Sequence, residues 1–286
     1  MPQLKEFGLD ESVVAKRIYR DYSHQTTRAG LVVEKEIRDE LHSFLSSFLD
    51  FVGSDHSVFL RVDAFAAASV LNIVEINVEL QDGWGVALNL LRASGNTPYF
   101  NGSTRLPTEI ILYREDYLPE FELAQQELAL LGHQLEIVGW RTRPGVGAKG
   151  AFDSKMYLAK FSQTWCGKRV CVPKTYIADT TPWGDLPQDV VFKFCDKYGK
   201  PARKARYSVA RRHEIGHGKF MRKCYLAGEA IAQEYIEPLR LENGASTQAI
   251  VLCSGCNPLV GYTQVAPPGV FIINDRTAKK GALVFG

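Results

Sequence analysis

Apolar positions recur with helical spacing near the start of the chain, at Val13, Val14, Ile18 and Tyr19, then at Leu41, Phe44, Leu45 and Phe48. That spacing predicts helix over much of residues 10–52. Two strand-type runs follow, VFLRVDAF (58–65) and LNIVEINVEL (71–80), joined by a short turn of small residues. ASGNTPYFNGSTRLP (93–107) is polar and rich in Gly, Asn and Pro, and reads as a linker.

The pattern then changes. EIILYR (109–114) reads as a strand, EFELAQQELALLG (120–132) as an amphipathic helix ending on a capping glycine, and LEIVGW (135–140) as a second strand. Strand, helix and strand within about thirty residues form the βαβ unit of a parallel sheet. RPGVGAKGAF (143–152) breaks it. The last third opens with a helix from about Asp153 to Phe161. It continues with the strand-type runs DVVFKFC (189–195), EAIAQEYIEPL (229–239), QAIVLCSG (248–255) and GVFIIND (269–275). No internal repeat and no low-complexity tract interrupts this order. The elements predict a mixed α/β (α+β) fold in three parts, 1–95, 108–150 and 151–286.

Composition narrows the picture only a little. The chain has 286 residues, 45% hydrophobic and 23% charged, enough for one large domain or two modest ones. A net charge of +2 does not point to nucleic acid or an anionic membrane as partner. No apolar run is long enough to span a membrane, and MPQLKEFGLDES lacks a signal-peptide core, so a cytoplasmic location is expected. The six cysteines are irregularly spaced, and only Cys253 and Cys256 form C-x-x-C. A strand-edge turn with two free thiols is expected there, and the other four read as small core residues.

Residues 213–217 spell HEIGH, the His-Glu-x-x-His of zinc proteases. A zinc site of that class needs His213 and His217 on one face of a core helix, with Glu214 as general base. Here Gly216 and Gly218 each weaken a helix by roughly 1 kcal/mol. The flanks carry Arg211, Arg212, Lys219, Arg222 and Lys223, which oppose a dication. No third histidine follows closely, leaving Glu229, Glu234 or Glu237 as distant candidates. Glycines, backbone amides and basic side chains together suit a loop covering polyphosphate better.

The strand pair offers a stronger constellation. Residues two apart share a strand face, so Arg61 and Asp63 point together, as do Glu75 and Asn77. A hairpin would gather Asp63, Glu75 and Asn77, a hard-oxygen set suited to Mg2+. Apolar Ile73, Val74, Ile76 and Val78 argue that the segment is buried, and buried carboxylates need partners. Lys193 stands in the middle of an apolar strand, where only an anion makes burial tolerable. About forty residues on, AIAQEYIEPL joins a strand to a Gln-Glu-Tyr-Ile exit able to offer main-chain groups to a flat ligand such as adenine.

In this order, the pieces resemble the circularly permuted ATP-grasp family of glutathionylspermidine synthase-like amine ligases. Arg61-Val-Asp63 and Glu75-Ile-Asn77 match its R-x-D…E-x-N metal strands, and 109–138 is similar to its pre-ATP-grasp βαβ unit. DSKMYLAKF resembles the helix supplying a first ATP lysine, here Lys155, and VPKTYIADTTPWGDLPQDVVFKF the approach to a second, Lys193. AIAQEYIEPL resembles the adenine hinge. The resemblance covers most of 55–286. It departs at Phe194, where a proline is usual, and in an unusually basic phosphate loop from Gly199 to Gly218, so that Lys197, Lys200, Lys204, Arg206 and Lys219 stay open as alternatives for touching phosphate.

What the resemblance implies is an ATP- and Mg2+-dependent ligase that activates a small-molecule carboxylate as an acyl phosphate and passes it to an amine. Asp63, Glu75 and Asn77 would hold Mg2+, and Lys155 and Lys193 the ATP phosphates. Gln233, Glu234, Tyr235 and Ile236 would surround the base, Glu237 would reach the ribose, and Arg61 would steady the transferring phosphoryl group. His213 and His217 would belong to a lid over the nucleotide. An ATP-grasp kinase would share every nucleotide residue; a zinc protease is the second alternative and a non-catalytic nucleotide-binding protein the third. The chain is short for a permuted ligase, so an acceptor-binding insertion is either missing or supplied by a partner; a homodimer is a separate expectation. Asp275 and Lys280 in NDRTAKKG read as a surface turn.

Overall fold

The computed structural model describes residues 2–18, 25–54, 56–67, 69–78, 82–100, 104–112, 115–139, 155–195, 209–211, 218–270, 273 and 278–286. Among them, eight strands form one sheet. These are β1 (Gln3–Glu6), β2 (Ala29–Val33), β3 (Phe59–Ala67), β4 (Val70–Val78), β7 (Val170–Cys171), β12 (Ser246–Ser254), β13 (Asn257–Ala266) and β14 (Lys279–Phe285), in the order β1-β2-β14-β13-β12-β3-β4-β7. Most neighbours are antiparallel, while β14–β2 and β4–β7 are parallel. Such a mixed sheet lets segments distant in sequence lie side by side.

Alternation within β3 explains how the sheet is clothed. Leu60, Val62, Ala64 and Ala66 face one way, against Ile37, Leu41, Phe44, Leu45 and Phe48 of helix α1 (Lys35–Val52). Arg61 and Asp63 face the other way. On that second face α2 (Trp84–Ala93) packs Trp84 and Leu88 over Ile250, Leu252, Val260 and Tyr262. The polar residues of β3 therefore border a helix-covered region without being smothered by it.

Strands β5 (Glu109–Leu112) and β6 (Glu136–Gly139) form a separate two-stranded parallel sheet, crossed by helix α3 (Leu118–Leu130). This is the expected βαβ unit, with Pro119 in the first helical turn and Gly132 at φ 80 just past its end. It docks through α3 onto α2 at Gly85, where a side chain would strike the backbone of Glu120 and the amide nitrogen of Ala124 (2.7 Å).

A four-stranded antiparallel sheet makes up the rest, in the order β10-β9-β11-β8: β8 (Thr175–Tyr176), β9 (Val190–Phe194), β10 (Val209–Arg211) and β11 (Ala230–Glu234). Helix α5 (Gly218–Leu226) covers it with Met221, Cys224 and Tyr225, while Trp183 stacks on Phe192 at 5.1 Å. Helix α4 (Lys155–Phe161) links the two sheets. Its Phe161 joins the α1 aromatics, its Ala159 touches Ile177 and Ile231, and the Lys155 amide donates to Cys195 O at 3.3 Å.

Several expectations change. Residues 11–18 are turns and bends instead of helix, because the side chain of Asn89 claims their backbone: Ala15 N donates to its Oδ1 and its Nδ2 donates to Val13 O. Tyr19 and Asp275 lie outside the described residues. The chain turns at Pro267–Val270, most of the expected strand 269–275 lies outside the described residues, and a strand runs over Lys279–Phe285. Lys280, expected in a surface turn, is therefore buried in β14 at 1% exposure. The turn at Cys253–Cys256 does carry two free thiols. Of the other four cysteines only Cys224 is buried, since Cys166 is exposed and Cys171 and Cys195 are intermediate. Finally, β12–β14 share their sheet with β3 and β4, so residues 151–286 are divided between two sheets.

Candidate active site

The hairpin of β3 and β4 pairs Arg61 with Asn77 and Asp63 with Glu75, which puts all four on one face. The register then slips between Asp63 and Ala64: Ala64 pairs with Ile73, and Val74 is the residue passed over. A bulge of this kind turns a backbone group out of the ladder. Here the Val74 carbonyl accepts a hydrogen bond from Lys193 Nζ at 2.9 Å.

Lys193 reaches it from the small sheet. β9 is buried on both sides, and its lysine, 7% exposed, also donates to Gln233 Oε1 at 2.7 Å. Gln233 is held in turn, giving its Nε2 hydrogen to Thr175 Oγ1 at 3.2 Å. Burial pulls the Lys193 ammonium down to about 8, with Lys155 adding to the fall and Glu75 and Asp63 opposing it. Lys155, at the start of α4, donates to Glu75 Oε1 at 3.0 Å. Lys155 is thus bound to Glu75 itself, while Lys193, from a different element, is held on the backbone carbonyl next to it.

Arg61 completes the cluster. Its Nε and Nη2 donate to the two oxygens of Asp63 at 2.9 and 3.2 Å, and its Nη1 donates to Asp82 Oδ2 at 2.8 Å. Such a charge-assisted fork fixes the guanidinium plane. Asp82, which ends the turn before α2, was not singled out in the sequence. Neither was Glu120 of α3, which is fully buried and accepts the amide hydrogens of Gly85 (2.7 Å) and Val86 (3.4 Å) at the α2 N-terminus. The D-G-W-G turn closely following Asn77 was the one available signal for Asp82. Glu120 gave none, since its burial comes from a helix–helix contact.

The Gln-Glu-Tyr-Ile stretch leaves β11 along the sheet edge. Glu234 N donates to Lys174 O at 2.8 Å and Tyr235 N to Asp189 O at 3.1 Å. Gln233 directs its carboxamide at Lys193 and Thr175. Glu234 is exposed, while Tyr235 and Ile236 are half-buried. Glu237 engages the Arg240 guanidinium, with Nε to Oε1 at 2.6 Å. Leu239 then fastens this exit to the large sheet, its amide donating to Ala66 O (2.8 Å) and its carbonyl accepting from Thr247 N (3.1 Å).

Two carboxylates and a carboxamide on one sheet face are the donor chemistry of a Mg2+ site, so Asp63, Glu75 and Asn77 fit that ion. Among the described residues no group of three or more His, Cys, Asp or Glu is placed to hold a metal. His213, Glu214 and His217 lie outside those residues, as do Lys200, Lys204 and Arg206. No helix of the described residues is long and apolar enough to cross a membrane. Compared with known proteins, the chain matches no family model and no curated protein.

Proposed function

We propose that this chain is an ATP- and Mg2+-dependent carboxylate–amine ligase of the circularly permuted ATP-grasp type. The observation that carries the reading is the placing of Lys155 on the Glu75 carboxylate and of Lys193 on the Val74 carbonyl next to it, one from a helix and the other from a separate sheet. Cations held beside carboxylates where two sheets meet are groups that could exchange those partners for a polyphosphate and a metal. With nucleotide present, Lys155 and Lys193 turn from Glu75 and Val74 O to phosphate oxygens.

Mg2+ held by Asp63, Glu75 and Asn77 would neutralise phosphate charge and bridge the nucleotide to the β3–β4 hairpin. The remaining work belongs to the chain. Lys193 is presented by Gln233, whose own carboxamide is fixed by Thr175, so the ammonium arrives with little freedom left to lose. Arg61, held between Asp63 and Asp82, faces the γ-phosphoryl group and the carboxylate that takes it, giving an acyl phosphate and ADP. Attack of an amine on the acyl carbon then releases phosphate and leaves an amide. A phosphotransferase acting on a hydroxyl would use the same nucleotide residues, and ADP release that requires both an acid and an amine separates the two.

Calorimetric titration with a non-hydrolysable ATP analogue plus Mg2+ tests the nucleotide reading. Binding is expected in the wild-type chain, with at least a tenfold loss (about 1.4 kcal/mol) in Glu75→Gln and in Lys193→Met. Equal affinity in all three proteins, or none in the wild type, overturns the reading.

A further inference from the structure

Glu120 is the most deeply buried carboxyl near the cluster, with no measurable exposure, and Asp82, three residues before the Gly85 amide that Glu120 accepts, is 1% exposed. Their surroundings differ. Asp82 meets the Arg61 guanidinium, whereas Glu120 meets only backbone: Oε1 accepts from Gly85 and Val86, and Oε2 has no hydrogen-bond partner. An ionised carboxylate sealed from water with one oxygen bare is expensive, but a carboxylic acid whose hydroxyl points at a neighbouring carboxylate is not.

We propose that Glu120 stands protonated and directs its acid hydrogen from Oε2 toward Asp82, so that it is a positioning residue for Arg61 acting through Asp82. The inference rests on the role given to Arg61 above. Oε1 is already the acceptor for the α2 amides, which leaves Oε2 as the oxygen that carries the proton. Local charge agrees: Arg61, Lys155 and Lys193 face Asp63, Glu75 and Asp82, and an ionised Glu120 would add a fourth negative charge to that set. The other groups near the pair come from each packed element. Tyr262 of β13 lies against Gly83, and Glu127 on α3 is tied to Arg92 on α2 at 2.7 Å further along the seam. Burial first, and the charge of Asp82 second, push the Glu120 carboxyl up to about 8, against the pull of the Gly83, Gly85 and Val86 amides.

Since Glu120 belongs to the βαβ unit and Arg61 to the large sheet, one proton joins the two parts of the molecule. When that proton leaves, Asp82 is repelled by its neighbour and its hold on Arg61 changes. The test is carboxyl-carbon NMR of the full-length chain, without nucleotide, with Glu120 assigned from Glu120→Gln. A midpoint close to 8 is expected, falling in Asp82→Asn, and a midpoint in the ordinary glutamate range overturns the proposal. Should Glu120→Gln fail to fold, the Asp82→Asn shift identifies the signal. The positioning role is read from the Arg61 Nε–H resonance in the Lys193→Met background, which removes the other group placed near 8; it is expected to move through the Glu120 midpoint there and to stay still once Glu120→Gln is added, and no movement before that addition overturns the role. None of these readings uses nucleotide, so a failure of ATP to bind would overturn the ligase reading alone.

Discussion

The ammonium of Lys193 lies between a bulge carbonyl and a glutamine side chain, so its charge state is a property of the fold. Its folded-state value is lowered to about 8, against 10.5 for an ordinary lysine. Between those two values the unfolded chain binds the proton and the folded chain does not, so stability contributed by this residue rises with pH across that window. Below about 8 both states are charged and the burial penalty is fully present. Urea unfolding should show wild type gaining on Lys193→Met by roughly 3 kcal/mol between about pH 8 and about pH 10.5. An unchanging difference would mean that the lysine is solvated. Glu120 has the opposite sign: its folded value is raised to about 8 from 4.5, so its contribution falls as pH climbs through that interval. The importance of Lys193 was legible because a lone lysine in an apolar strand demands a partner, expected to be an anion and found to be the Val74 carbonyl and Gln233. The identity of those partners was not, because a bulge and a cross-strand contact leave no mark on composition.

Among the elements, α2 and α3 depend on closeness. Gly85 lets the α3 backbone approach, and Glu120 replaces a capping side chain at an N-terminus whose own residue, Gly83, offers none. Gly85→Ala should therefore part the two helices and destabilise the chain by about 1–3 kcal/mol, measured by urea unfolding, and should expose Glu120 to water. A variant as stable as wild type would show that the contact is slack. The βαβ unit itself was readable, because strand period, helix period and a terminal glycine agreed over one continuous stretch. Its attachment to α2 was not, since small residues facing each other look like any other pair of small residues in sequence.

At the level of the whole molecule, β14 is the last strand of the chain yet an interior strand of the large sheet, between β2 and β13. Its pairing with β2 is parallel, so residues at opposite ends of the sequence share one set of hydrogen bonds. Removing residues 279–286 should detach β1 and β2 from the sheet, uncover Leu31 and Val33, and abolish a cooperative thermal transition followed by circular dichroism. Retention of a sharp transition would show that the sheet is stable without its link to β2.

The sequence by itself determined the β3–β4 hairpin, the face shared by Arg61, Asp63, Glu75 and Asn77, the βαβ unit and the buried lysine strand. These rest on period, alternation and the energetic demand of a buried charge, all of which act between near neighbours. The tertiary structure alone decided that β14 buries Lys280, that Val13 and Ala15 are bound by Asn89, that Asp82 holds Arg61, and that Glu120 caps α2. Each of those depends on packing between segments far apart in the chain. There the free energy lies in which surfaces meet, and no local pattern records the partner.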